Sequence, residues 1–150
     1  MDLQQPVMIL LVEDDSGHAL LIEKNLRRAG ISNKIIALDN GQKAVDFLFK
    51  EGAYSGAGHP SPPLILLDLN LPVLDGYQVL KIIKNDERTK HIPIIVLTTT
   101  DNAHEVARGY NSGCNMYLTK PVEYSQFSEA IRNLGLFLSI IKVPNKTYMG

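Results

Sequence analysis

The chain contains one cysteine, Cys114, in 150 residues. A single thiol excludes an internal disulfide and fits a reducing compartment. A charge bias is also missing: fifteen Lys plus Arg stand against sixteen Asp plus Glu, a net charge of −1. Such a balance leaves no electrostatic footprint for nucleic acid or for an anionic membrane surface. The N-terminal MDLQQP carries an acid and no positive stretch, and the apolar run after it, Val7 to Val12, is too short for a signal-peptide core. The nearly apolar run from Leu134 to Ile141 falls well short of a membrane span. A cytoplasmic protein without nucleic-acid or membrane partners is therefore expected. No glycine-rich loop follows the first apolar run, which argues against a flavin or nucleotide binder. The four histidines, His18, His59, His91 and His104, are scattered without ligand spacing and read as surface residues.

What is present is a regular alternation. Hydrophobic residues make up 45% and charged residues 21%, the profile of a globular domain. Five short apolar runs, VMILLV (7–12), NKIIAL (33–38), LILL (64–67), IPIIVL (92–97) and NMYL (115–118), suit strands buried on both faces of a parallel sheet. Between them lie helix patterns. One runs from Ser16, a plausible N-cap, to Ala29, with Gly30 as the stop. Others are opened by Asn40, span Tyr77 to Asn85 and Asn102 to Ser112, and run from Glu123 to about Ile140. Five strands alternating with five helices predict one doubly wound α/β domain over 1–150, with its core at about 7–141. The segment GAYSGAGHPSPP (52–63) reads as an exposed loop, either a binding loop or a tolerated insertion. The tail 143–150 reads as frayed.

In such sheets ligands bind beyond the carboxyl ends of the strands. Those ends carry Glu13, Asp14 and Asp15; Asp68, Leu69 and Asn70; Thr98, Thr99 and Thr100; and Lys120 with Pro121. Clustered carboxylates repel one another unless a cation joins them. Mg²⁺ suits hard carboxylate oxygens while keeping water and phosphate oxygens. Glu13, Asp14 and Asp68 carry −3, which Mg²⁺ and Lys120 together balance with +3. A carboxylate held against a metal and a lysine can attack phosphorus while both cations screen the phosphoryl oxygens.

The motifs ILLVEDD (9–15), LILLDLNLPVLDG (64–76), IIVLTTT (94–100) and YLTKP (117–121) resemble those of CheY-like response-regulator receiver domains, in order and over about residues 7–140. The resemblance implies a flavodoxin-like five-stranded sheet of order 2-1-3-4-5. It implies that Asp68 is the phosphoacceptor. Glu13 and Asp14 correspond to the acidic pair that holds Mg²⁺, one commonly through water, with the backbone carbonyl of Asn70 completing the protein's share. Thr98 resembles the hydroxyl that turns to the phosphoryl group, Tyr117 the aromatic switch and Lys120 the phosphate-binding lysine. The Lys120–Pro121 peptide is expected to be cis, and Pro72 and Gly76 fit the turn and helix start that follow the phosphoacceptor. Asp15 is extra and reads as helix-capping or solvated. Within the family the chain is most similar to small response regulators of cyanobacterial phytochromes, in its loop before strand three, its DLNLP and its apolar final helix.

The implied function is a two-component response regulator, phosphorylated by a sensor histidine kinase of phytochrome type. It would be no enzyme beyond self-directed phosphotransfer and autodephosphorylation. With no output domain expected after the receiver, the signal would leave through contacts with a downstream protein. The final helix places Phe127, Ile131, Leu134 and Leu138 on an inward stripe, while Leu136, Phe137, Ile140 and Ile141 add apolar surface elsewhere. That surplus predicts a homodimer face. The alternative from another class is a haloacid-dehalogenase-type phosphohydrolase. Its motif needs a second Asp as general acid where this chain has Asn70.

Overall fold

The computed structural model describes residues 8–56, 58, 62–99, 107, 108, 110, 111 and 113–133, residue 131 by its backbone alone. Five parallel strands form one sheet: β1 (Ile9–Val12), β2 (Ile35–Leu38), β3 (Ile65–Asp68), β4 (Ile94–Thr98) and β5 (Met116–Thr119). Their order is β2-β1-β3-β4-β5. The helices with defined bounds are α1 (Ser16–Arg28), α2 (Gly41–Phe49), α3 (Gly76–Lys84) and α4 (Tyr124–Asn133). Of the helix expected from Asn102 to Ser112, the described residues 107, 108, 110 and 111 are helical. The tail 143–150, the inward positions Leu134 and Leu138, and the expected dimer residues Leu136, Phe137, Ile140 and Ile141 lie outside the described residues.

Every residue of β1, β3 and β4 is buried, which is why these runs are continuous rather than alternating. Alternation instead sorts side chains between two layers. Leu10, Val12, Ile65, Leu67 and Val96 pack with Val45, Phe47, Val79 and Ile83 of α2 and α3. Ile9, Leu11, Leu66, Ile95 and Leu97 pack with Ile22 and Leu26 of α1 and Phe127 of α4. Each such fully buried side chain contributes about 1.5–3 kcal/mol by leaving water. No helix among the described residues is long and apolar enough to cross a membrane.

Some boundaries differ from the sequence expectations. Ser16 is the first helical residue, not the cap. Asp15 caps α1 instead, its Oδ1 accepting from the His18 N–H at 2.9 Å. A carboxylate one residue earlier both reaches that N–H and meets the positive end of the helix. Asp68 and Thr98 are the last residues of β3 and β4 rather than the first beyond them. β4 begins only after Pro93, which has no N–H to give to a ladder. Of the 52–63 loop, Gly52–Tyr54 forms a 3₁₀ turn, and the Tyr54 ring meets Phe47 edge-on at 5.3 Å.

Far from the rim, at the amino-terminal ends of the strands, Lys84 forms a brace. Its ammonium donates to the carbonyls of Ile92 (2.8 Å) and Lys90 (3.1 Å) and to Asn115 Oδ1 (3.4 Å). Asn115 Oδ1 also accepts from the Ile94 N–H at 2.9 Å. Burial holds the Lys84 ammonium below its ordinary pKa.

Candidate functional site

The β1 end turns outward at Glu13 and Asp14, next to the β3 end at Asp68, because β1 and β3 are neighbours in the sheet. Carboxylate oxygens of Glu13, Asp14 and Asp68 lie within 4.8 Å of one another, with Glu13 and Asp68 buried and Asp14 exposed. Lys120, from the end of β5, reaches back across this rim. Its ammonium donates to Glu13 Oε1 and, at 3.1 Å, to Asp68 Oδ2. Backbone groups finish the carboxylates: the Asn70 N–H donates to Asp68 Oδ1 at 3.0 Å, and the Asp15 N–H to Glu13 Oε2 at 3.1 Å.

The electrostatics follow from this crowding. Burial pushes the Glu13 carboxyl above its ordinary pKa, with Asp68 adding to the rise and hydrogen bonds from Lys120 and Asp15 opposing it. Burial alone would lower the Lys120 ammonium, but its bonds to Glu13 and Asp68 outweigh that and raise it. Three carboxylates stand against one ammonium, so the pocket favours a further cation. Three hard carboxylates, one of them open to solvent, are a donor set that fits a divalent ion.

The loop after Asp68 is gripped by two glycines. A Cβ on Gly76 would sit 2.5 Å from the Asp68 carbonyl oxygen and from Leu69 Cα. A Cβ on Gly41 would sit 2.0 Å from the Leu74 carbonyl oxygen. Between them Val73 stands at φ 71° with 75% of its surface exposed, a left-handed conformation that a β-branched side chain disfavours. Sequence reasoning named Gly76 but not Gly41, since the approach of α2 to this loop is a tertiary event.

Thr98 is buried, faces Thr119 across the β4–β5 register, and its carbonyl accepts from the Lys120 N–H at 2.7 Å. Tyr117, two residues before Thr119, lies on the same side of β5, half-buried, with its ring 6.5 Å from that of Tyr110. The Lys120–Pro121 peptide is cis. Asn25 of α1 donates to the Val122 carbonyl at 2.8 Å, tying the segment after Pro121 to the front of the molecule. Cys114 is buried and its thiol pushed up to about 11 by that burial, which makes it a packing residue. Thr100 and His104 lie outside the described residues. His18, read from sequence as a surface residue, is exposed and stands at the rim: its Nδ1 is 3.4 Å from Lys120 Nζ and 4.0 Å from Glu13 Oε2. The only signal in the sequence was its position three residues after Asp15.

Residues 9–132 match the response regulator receiver domain family. Response regulator Rcp1 of Synechocystis is 38% identical over 140 residues, covering 93% of this chain and 94% of Rcp1. Its solved Mn²⁺-bound form superposes with a TM-score of 0.73 at 38% identity, covering 93% of this chain and 100% of that one. The bacteriophytochrome response regulator RtBRR superposes with a TM-score of 0.83 at 36% identity, covering 94% of this chain and 85% of that one. A probable methanogenesis regulatory protein of Methanothrix harundinacea, FilR2, is 37% identical over 134 residues, 89% of this chain and 84% of its own length. These matches leave the phosphohydrolase alternative without support and place the chain among signalling proteins rather than enzymes. With the sheet order, the carboxylate rim and the lysine reaching into it already in place, the match over 9–132 makes the chain a member of the response regulator receiver domain family.

Proposed function

We propose that the chain accepts a phosphoryl group on Asp68 from a sensor histidine kinase, with Mg²⁺ as the cofactor. The observation that carries this reading is the Lys120 ammonium bridging Asp68 and Glu13 inside a ring of three carboxylates. In the transfer an Asp68 carboxylate oxygen forms a bond to phosphorus, and the P–N bond of the kinase phosphohistidine breaks. The electron pair goes to the imidazole, and an acyl phosphate remains on Asp68. Glu13, Asp14, Asp68 and the Asn70 carbonyl would hold Mg²⁺, which when bound screens the charge on the phosphoryl oxygens. Asp14 is the exposed member of the three carboxylates, and Glu13 and Asp68 are buried beside it. Lys120 turns its Asp68 donor to a phosphoryl oxygen, and the Thr98 hydroxyl supplies a further bond.

Thr98 and Tyr117 share one side of neighbouring strands, which supports a switch in which Thr98 turns to the phosphoryl group and the Tyr117 ring follows it inward. The signal then leaves by the face of β5, the last helix and the helical segment that carries Tyr110. Similarity to Rcp1 and RtBRR supports a kinase of phytochrome type. The apolar surplus of Leu136, Phe137, Ile140 and Ile141 supports a homodimer, which Phe137→Asp should weaken in sedimentation without loss of Asp68 labelling.

The direct test is labelling with acetyl phosphate and Mg²⁺. One acid-stable, alkali-labile phosphoryl group is expected, absent in Asp68→Asn. Undiminished labelling of that variant overturns the assignment.

A further inference from the structure

The Lys120 ammonium has three hydrogens to donate. Two are directed at Glu13 and Asp68. The third faces His18 Nδ1 at 3.4 Å. His18 is the third residue of α1, and its own N–H is the one capped by Asp15 Oδ1 at 2.9 Å. The acid beyond the family's pair therefore has a consequence past helix capping. It pins the first turn of α1 so that the imidazole stands over the lysine from the solvent side, with about half of the ring exposed. A neutral imidazole with Nδ1 unprotonated accepts from an ammonium, and Lys120 has no acceptor capacity of its own, so the direction of this bond is settled by chemistry.

We infer that His18 is a positioning residue. Through Nδ1 it holds the Lys120 ammonium over the carboxylate rim, and so sets how well the site binds a phosphoryl group. The inference rests on the reading that Lys120 takes a phosphoryl oxygen. When that oxygen arrives, Lys120 must release Asp68 Oδ2. A flexible four-carbon stem held by Glu13 alone retains a swivel that costs entropy to freeze. With Glu13 on one side and His18 on the other, two of the three donors stay fixed and the third is aimed at the incoming group.

The test uses the whole chain, Mg²⁺ and beryllofluoride, a mimic of the acyl phosphate, with binding read from the change in Tyr fluorescence and, independently, by calorimetry. His18→Ala should weaken beryllofluoride binding roughly threefold to tenfold, less than a fully buried bond to a charged group because the contact is long and half-exposed. Its urea midpoint should stay that of wild type. His18→Asn places a carbonyl oxygen where Nδ1 stood and should recover most of the affinity. His18→Gln places its oxygen further out, where Nε2 stood, and should not. Wild-type affinity in His18→Ala, or equal recovery by Gln and Asn, overturns the inference. Lys120→Ala separates the two readings: it should bind beryllofluoride far more weakly than His18→Ala. If it binds as tightly as wild type, the role given to Lys120 fails, and the role of His18 fails with it.

Discussion

Replacing Lys120 by Met removes the cation from a buried cluster while nearly preserving volume, and the cost can be worked from the distances. Side-chain exposures of 9% for Lys120, 1% for Glu13 and 7% for Asp68 keep solvent screening small. At an effective dielectric near 20, unit charges 3.1 Å apart, as for Lys120 and Asp68, attract by about 5 kcal/mol. Like charges at the 4.8 Å limit of the carboxylate group repel by about 3.5 kcal/mol. The substitution deletes the attraction and leaves the repulsion. Proton uptake by Glu13 and the relief of burying an ammonium return part of the loss, so the net destabilisation is about 3–5 kcal/mol. With an m-value of about 1–3 kcal/mol/M this lowers the urea midpoint by roughly 2 M in chelator. Saturating Mg²⁺ at about a hundred times its Kd adds about 2.7 kcal/mol to a protein that binds it only when folded. The variant should gain more than wild type at equal Mg²⁺, because the ion replaces the missing charge. A midpoint shift under roughly 0.5 M in chelator, or a larger Mg²⁺ effect on wild type, refutes the charge reasoning.

Three further outcomes are expected. Gly76→Ala drives a methyl into the Asp68 carbonyl and Leu69 Cα, both 2.5 Å away and both backbone; it should cost about 1–3 kcal/mol in urea unfolding and slow acetyl-phosphate labelling, and wild-type behaviour in both would falsify the close approach. Val73→Asn relieves a β-branched residue at φ 71° with most of its surface in water; it should raise stability by about 1 kcal/mol, and no gain in the urea midpoint counts against strain at this turn. Asp86 is held down to about 2 by side-chain and backbone hydrogen bonds with Arg88. Its pKa is depressed on folding, so its contribution is present above about pH 4 and fades as the pH falls toward 2. In Arg88→Ala, NMR titration of the Asp86 carboxyl carbon should show a return toward the ordinary aspartate value, and an unchanged midpoint removes Arg88 as the cause.

The strands were legible because continuous Ile, Leu and Val runs are what a sheet covered on both faces demands, and β1, β3 and β4 are buried throughout. The rim was legible for a related reason: Glu13, Asp14, Asp68, Thr98 and Lys120 each follow such a run, and the topology of a doubly wound sheet gathers those positions at one end. What escaped was contact between elements. The cap of α1 was half legible, since the sequence offers both Asp15 and Ser16, both good capping types, and the fold takes Asp15. His18 gained its place from the first turn of α1 meeting the lysine that follows β5, Gly41 from the approach of α2 to the loop at Leu74, and Lys84 from carbonyls six and eight residues further along. None of these leaves a periodic trace.

The bonds of Lys84 give the sheet a fixed heel. The chain enters β4 and β5 through Ile92, Ile94 and Asn115, which are cross-linked by one ammonium and one amide oxygen at the end away from the carboxylates. Two strands pinned at a common starting point cannot slide lengthwise past each other. If Thr98 and Tyr117 move as proposed, the displacement is expected at the end of the two strands away from this heel, as pages bound at the spine part at the opposite edge, and beside the segment carrying Tyr110.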